Sequence, residues 1–360
     1  MQLEEILDAA ELSRLIAENY ITARDHPSLP YKILNYTPKT QFARHWTPET
    51  ELSRGLMVDT SSGMIVGRAF RKFFNWGERE VSIPDEPFVA YEKMDGSLGI
   101  SYVDADGRPS LATRGSFTSY QARRATEILR SKYAYTLDAM LALGPVTLCF
   151  EIILPEYRIV VDYEGREDLV LLAAFDTHSG HEIDLDEPCI TALGFPMARR
   201  YAAASIDEAH ELVESPIFEN GEGVVIRFAG GLRLKLKREE YQRLHRIVTG
   251  VTPRRIWEML KDGTPPAGRL FAGTPAPFQA WARAHVDEIE RQYAEIEQSS
   301  RAAHAEIMAD NPADRKTFAL TAAQHRHRAV LFRLYDAAPF EDVIWKMVRP
   351  GPADPFRNET

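Results

Sequence analysis

The sequence predicts an α+β domain followed by an all-helical one. Three observations carry that reading. Between residues 54 and 237 short β-rich runs recur, separated by Gly, Pro and acidic clusters. Two pairs of runs are joined by strong turn signals, Asp104-Ala-Asp-Gly107 and Gly230-Gly231. After Lys237 the texture changes to helical periodicity that continues to Val348. The expected domains are residues 1–246 and 247–360.

Taken in order, Gly55–Val58 and Met64–Val66 flank a Ser-Ser-Gly turn. Phe88–Tyr91 and Leu98–Val103 are strand-like, and the Asp95-Gly96 step between them, taken alone, reads either as a hairpin corner or as part of a functional loop. Gly99–Val103 and Ser110–Thr113 flank the Asp104 turn, and Tyr120–Lys132 has helical periodicity. Thr147–Leu154, Tyr157–Val161 and Leu169–Phe175 are further β-rich runs, and Ile206–Val213 is a second short helix. Gly223–Phe228 and Leu232–Lys237 flank the glycine pair. Arg238–Val248 reads as a helix, and Thr252-Pro253 opens another with a cap and a first-turn proline. Gly263–Pro277 is a connection, after which Phe278–Asp310, Lys316–Gln324, Ala329–Tyr335 and Glu341–Val348 are helical.

Bulk properties narrow the function. A hydrophobic content of 44% with 27% charged residues is ordinary for a soluble globular protein. No apolar run approaches the roughly 18 residues that span a bilayer, so no membrane partner is expected. The acidic, helix-periodic start MQLEEILDAAEL has the character of neither a signal nor a transit peptide. Cys149 and Cys189 stand in no metal or redox spacing, which fits a reducing, cytoplasmic setting. No obligate protein partner is evident. The net charge of −10 argues against coating nucleic acid through bulk positive charge. Basic residues are nevertheless focused: seven Lys/Arg lie between Arg227 and Arg246 against two acids, and Arg68, Arg71 and Lys72 cluster earlier. That pattern suits a phosphate-bearing substrate held in a cleft.

The run LRLKLK at 232–237 is the most informative stretch. Strand alternation puts Arg233, Lys235 and Lys237 on one face and the leucines on the other. Three cations side by side repel unless something negative lies among them. Glu222, at the start of the partnering run, is one carboxylate near them; Glu151, inside the apolar run VTLCFEIIL, is another that a packed face would not hold without a purpose. Upstream stands Lys93-Met94-Asp95-Gly96.

The order and spacing of Lys93–Gly96, Phe150-Glu151, Glu222-Gly223 and Lys235-Leu236-Lys237 resembles the covalent nucleotidyltransferase superfamily of ATP-dependent RNA ligases, DNA ligases and capping enzymes. Ser53-Arg54-Gly55, Arg71–Asn75, Asn35-Tyr36 and Thr113-Arg114-Gly115 are similar to the phage T4 RNA ligase 1 group, although that group can carry lysine where Arg114 stands. The resemblance implies an ATP-grasp-like set of antiparallel sheets and a helical tail as the RNA-contacting part. It also implies ATP as co-substrate, Mg2+ or Mn2+, and RNA with 5′-phosphate and 3′-hydroxyl ends, such as nicked tRNA, as partner. DNA ligases and capping enzymes follow the last motif with an OB-fold, and no run of five short strands follows Lys237. A non-catalytic RNA-binding relative is the alternative of a different class; it would have no need of a nucleophilic lysine.

On this resemblance Lys93 is the nucleophile that becomes AMP-lysine. Lys235 and Lys237 are catalytic cations, and Arg54 and Lys72 further phosphate clamps. Glu222 is the carboxylate near the metal, directly or through water. Glu151 accepts from ribose hydroxyls, Gly96 admits the nucleotide, Tyr36 and Arg114 complete the site, and Phe175 packs on the base. Attack requires a neutral amine, and free lysine has a pKa of about 10.4. Lys235 or a metal is therefore expected to push Lys93 towards its neutral form.

Overall fold

The computed structural model describes residues 1–356. The chain divides into two compact units, Met1–Gln242 and Arg243 onward. The division falls inside the helix Glu239–Gly250.

The strands of the first unit are, in chain order, β1 (Ile21–Asp25), β2 (Tyr31–Tyr36), β3 (Arg54–Asp59), β4 (Ile65–Gly67), β5 (Phe74–Asn75), β6 (Phe88–Glu92), β7 (Ser97–Val103), β8 (Pro109–Thr113), β9 (Val146–Ile153), β10 (Asp168–Asp176), β11 (Glu182–Ile183), β12 (Arg200–Tyr201), β13 (Gly223–Phe228) and β14 (Arg233–Lys237). They form three sheets with orders β1-β2-β3-β4, β11-β10-β9-β7-β8 and β12-β6-β13-β14-β5. Neighbours run antiparallel except β14 and β5.

The first sheet shows what alternation does to a mixed sequence. Ile21, Leu34, Leu56 and Ile65 pack on Leu7, Leu12 and Leu15, the last two from the helix Ala9–Ala17. Ile33 and Met57, on the other face, pack on Ile100, Tyr102 and Ala112 of the second sheet. β1 and β2 are absent from the sequence reading. β1 buries Ile21 and leaves Arg24 and Asp25 in water, so its apolar signal is a single residue.

Two expectations are corrected in the region that matters most. Asp95-Gly96 is not a hairpin corner. β6 belongs to the third sheet and β7 to the second, so residues 93–96 cross from one sheet to the other. The backbone amides there are taken outside any hairpin: Lys93 N–H donates to Gly223 O (2.8 Å) and Asp95 N–H to the Tyr163 hydroxyl (2.7 Å). Tyr157–Val161 is not a strand either. A 3-10 turn, Pro155–Tyr157, leads into irregular chain whose Val160 and Val161 N–H groups both donate to Asp95 Oδ2 at 2.9 Å. A buried carboxylate satisfies the amides that a neighbouring strand would otherwise take.

The second unit is helical, with Pro253–Lys261, Pro266–Leu270, Ala276–Ala309, Arg315–Ala322, Arg328–Tyr335 and Glu341–Met347. Thr252 Oγ1 caps the first of these by accepting from Arg255 N–H (3.2 Å). Ile256, Phe278, Ala282, Ile289, Val330 and Ile344 form its core. Arg315 is held in a two-pronged ion pair by Asp336, whereas Lys316 is exposed. Among the described residues no strand follows Lys237, and no helix is long and apolar enough to cross a membrane.

Candidate active site

β14 delivers its cations as alternation requires. Leu234 and Leu236 are buried, while Arg233, Lys235 and Lys237 keep partial exposure on the opposite face. β13 pairs with it so that Gly223 lies opposite Lys237 and Val225 opposite Lys235. Gly223 has φ +137°, and a Cβ there would come within 2.0 Å of Leu236 O, so only glycine lets the two strands close at this point. That closure puts Glu222, at the foot of β13, among the lysines.

Glu222 is almost completely buried and holds two ammonium groups, Lys93 Nζ on Oε2 (2.8 Å) and Lys237 Nζ on Oε1 (2.7 Å). Glu151, on β9, accepts from Gly96 N–H (2.9 Å). A Cβ on Gly96 would meet Ile152 O at 2.5 Å, so this glycine lets the crossover lie against β9. Asp95 anchors the crossover from three sides, through Val160, Val161 and the Tyr241 hydroxyl (2.8 Å). Every oxygen of its carboxylate is thereby occupied, which makes it a scaffold rather than a base.

Between the second and third sheets lies a cavity of about 510 Å³. Of the expected residues, Lys93, Arg54, Gly96, Arg114, Glu151 and Lys235 line it. Glu222 and Lys237 do not line it; Glu222 bridges Lys237 to Lys93, which does. Tyr36 does not line it; its hydroxyl accepts from Arg114 Nη1 (2.8 Å), and so orients a residue that does. Lys72 stands over the rings of Trp46 (4.9 Å) and Phe74 (5.0 Å). Phe175 does not line the cavity. It shares the Glu151 face of the second sheet, past a register shift between Leu171 and Ala173, but Phe70 packs edge-on over it. Leu172, Ala198 and Val225 offer the apolar lining instead.

Charge is distributed unevenly. Burial pulls the Lys93 ammonium down, but the Glu222, Glu151 and Asp95 carboxylates outweigh it, and its pKa lies above the ordinary lysine value. The expected neutralisation of Lys93 is therefore not present in this state, because three carboxylates surround it. Lys235 carries the depressed value instead: burial, then Arg54, Lys72, Lys93 and Lys237, push it well below the usual range. Burial raises Glu151 to about 7 against the pull of Lys93. Burial also raises Glu222, but Lys93 and Lys237 overcome it and hold that carboxyl below its ordinary value.

A divalent cation finds limited support from the chain alone. Among the described residues no three His, Cys, Asp or Glu side chains converge on a metal-sized site. Both Glu222 oxygens already face ammonium groups. One carboxylate fits Mg2+ only if a ligand's phosphates and water complete the shell, which is the usual habit of that ion.

Sequence reasoning missed Glu182, Tyr163 and Tyr241. A signal for Glu182 existed: Arg227 and Arg233 face each other across β13 and β14 and need an anion between them. Nothing local marked the two tyrosines.

A cleft between two largely antiparallel sheets, crossed by a lysine-bearing segment and followed by helices, is the α+β nucleotidyltransferase fold of ATP-grasp-like sheets. An archaeal ATP-dependent RNA ligase solved in two forms shares it. The TM-scores are 0.51 and 0.50, at 15% identity, over 78% of this chain and 75% and 76% of those chains. Residues 52–241, more than half of the chain, match the family described as RNA ligase, of the T4 RNA ligase 1 type, and the chain belongs to that family. A Thermovibrio ammonificans protein, named as a proposed RNA ligase, is 31% identical over 215 residues. That match covers 56% of this chain and 55% of the relative, so the chain aligns with about half of the relative's length.

Proposed function

We propose that the chain is an ATP-dependent RNA ligase that joins a 5′-phosphate to a 3′-hydroxyl through a lysyl–AMP intermediate, in the repair of broken RNA such as nicked tRNA. The observation that carries the reading is the position of Lys93. It sits on the crossover and lines the cleft, paired with Glu222, with Arg54 and Lys235 lining the same cavity.

In the first step Lys93 Nζ attacks the α-phosphorus of ATP. A P–N bond forms, the α–β P–O bond breaks, and pyrophosphate leaves. Lys93 must first give up its proton and its bond to Glu222, so the resting pair is a state that substrate has to undo. Lys235, Arg54 and Lys72 would take the charge that gathers on the α-phosphate and the leaving group. Glu151 would accept from the ribose hydroxyls. Glu222 would hold the divalent cation, Mg2+ or Mn2+, whose charge offsets that of the polyphosphate. AMP then passes to the RNA 5′-phosphate, and the 3′-hydroxyl displaces it. Residues 247–360 would supply RNA contacts, with Lys316 a phosphate partner.

Incubation with α-labelled ATP, then with GTP, followed by a denaturing gel, tests the class. The expected result is a covalent label from ATP alone that moves to 5′-phosphorylated RNA. Transfer to DNA would mark a DNA ligase, label from GTP a capping-type enzyme, and no label a non-catalytic relative. A chain ended after residue 250 should still label, and should lose preference among structured RNAs.

A further inference from the structure

The far wall of the cleft is strapped to the sheet opposite it. Glu182 opens β11, in the second sheet, and its carboxylate reaches across to the third sheet. There Oε2 accepts from Arg227 Nε on β13 (2.9 Å) and Oε1 from Arg233 Nη2 on β14. Arg227 and Arg233 are directly opposed in the ladder, so their guanidinium groups would repel without this shared anion. The Arg233 guanidinium also lies over the Phe70 ring (4.9 Å), the same ring that covers Phe175. Four residues on, Asp186 makes a second tie to the third sheet. Its two oxygens accept from Arg200 Nη1 (2.6 Å) and Nη2 (2.9 Å) on β12. Glu182, Arg227 and Arg233 themselves edge the cavity, and between the two ties Ile183, Asp184 and Leu185 line it.

The ties are unequal. Arg233 and Glu182 are largely shielded, with side-chain exposures of 12% and 16%, whereas Arg200 and Asp186 are at 38% and 65%. Exposed pairs are screened and hold little; a shielded carboxylate shared by two guanidiniums holds its geometry. The width of the cleft therefore depends on Glu182 far more than on Asp186.

We infer that Glu182 is a positioning residue. Through Arg227 and Arg233 it fixes the spacing between the segment 182–186 and the Val225 face, and so sets the fit of the nucleoside without touching the reacting atoms. The inference rests on the reading of the cleft as a nucleotide site. Glu182→Gln keeps the shape but cannot balance two guanidiniums. It should raise the KM for ATP in adenylylation about tenfold while kcat stays within about twofold, because uniform binding is lost and transition-state contacts are kept. Hydrogen exchange of the 182–186 amides should quicken in the same variant. Arg227→Gln removes one arm and serves if Glu182→Gln does not fold; it should move both quantities in the same direction by a smaller factor. Asp186→Asn should move neither by more than about twofold.

An unchanged KM, with or without faster exchange, overturns the inference, as does a fall in kcat at constant KM. If the wild-type chain forms no lysyl adduct, the adenylylation reading fails by itself. The clasp is then judged by calorimetric ATP affinity and exchange, where a weaker affinity with faster exchange supports it and an unchanged affinity overturns it.

Discussion

The two ends of the cation row differ in what faces them. At one end Lys93 and Lys237 share the buried Glu222, and charge is nearly balanced within the protein. At the other, Arg54, Lys72 and Lys235 form no ion pair among the described residues. Arg54 reaches Phe70 O at 3.5 Å, Lys235 reaches Phe73 O at 3.1 Å, and Lys72 rests over aromatic rings. Shielded cations without counter-charges are costly. Arg54 and Lys235 line the cavity and offer a place for an anion, whereas at the balanced end Glu222 already offsets the Lys93 ammonium.

The largest expected effect breaks the balanced end. Lys93→Arg keeps the charge and the Glu222 bridge but supplies no deprotonated nucleophile, so AMP labelling should fall by more than about a thousandfold. ATP affinity, read by calorimetry, should change by less than about tenfold. Label retained in this variant would remove Lys93 from the chemistry.

Next comes a contrast between the two ends on one strand. Lys235→Ala should lower the adenylylation rate by about a hundredfold or more, with the melting temperature unchanged or higher, because a repelled cation has gone. Lys237→Ala should cost stability as well, about 1–3 kcal/mol by denaturant titration, because Glu222 loses one of its two partners. Equal stability effects would erase the distinction between the ends.

The opposite face of β14 sharpens the same comparison. Leu234→Ala opens a hole in the core beneath the lysines and should destabilise by about 2–5 kcal/mol. Labelling per folded molecule should stay within about threefold. If Lys235→Ala unfolds the protein and Leu234→Ala does not, the two faces have been exchanged.

The smallest effect is one of pH. Glu151 has its pKa raised by burial from 4.5 to about 7, so the folded state binds its proton more tightly than the unfolded state does. Its contribution to stability is full below 4.5 and is lost as the pH rises towards 7. Glu222 is held below its ordinary value and has the opposite sign, its contribution being full above 4.5 and lost as the pH falls. Unfolding free energies of Glu151→Gln between pH 4.5 and 7 should therefore lack the decline seen in the parent chain. A decline of the same size in both would assign it to another group.

Legibility in the sequence followed the range of the forces involved. The faces of LRLKLK were readable because strand alternation is local and the leucines report the core. Most helices beyond 250 were readable for the same reason, down to the Thr252 cap, but the five-residue helix Pro266–Leu270 lies inside the stretch read as a connection, where Gly and Pro hide its periodicity. Asp95-Gly96 misled, since an Asp-Gly step between two β-runs has the same local chemistry whether the chain turns back or crosses to another sheet. Tyr157–Val161 misled because its amides are satisfied by a carboxylate far away in sequence. Phe175 shares a sheet face with Glu151, yet the segment that covers it, around Phe70, is irregular and carries no periodicity to follow. The protonation of Lys93 depends on three carboxylates brought together only by the fold.

The anchoring of Asp95 has a consequence for the order in which this site is made. Its carboxylate is satisfied by residues about 65 positions downstream and by Tyr241, which lies 146 positions away. A growing chain presents Lys93 early, and Val160, Val161 and Tyr163 can fasten the crossover before Tyr241, on the helix beginning at Glu239, adds the last bond. A nascent chain stopped at Lys237 would hold Lys93, Glu151, Glu222 and Lys235 and still lack the Tyr241 bond to the Asp95 carboxylate.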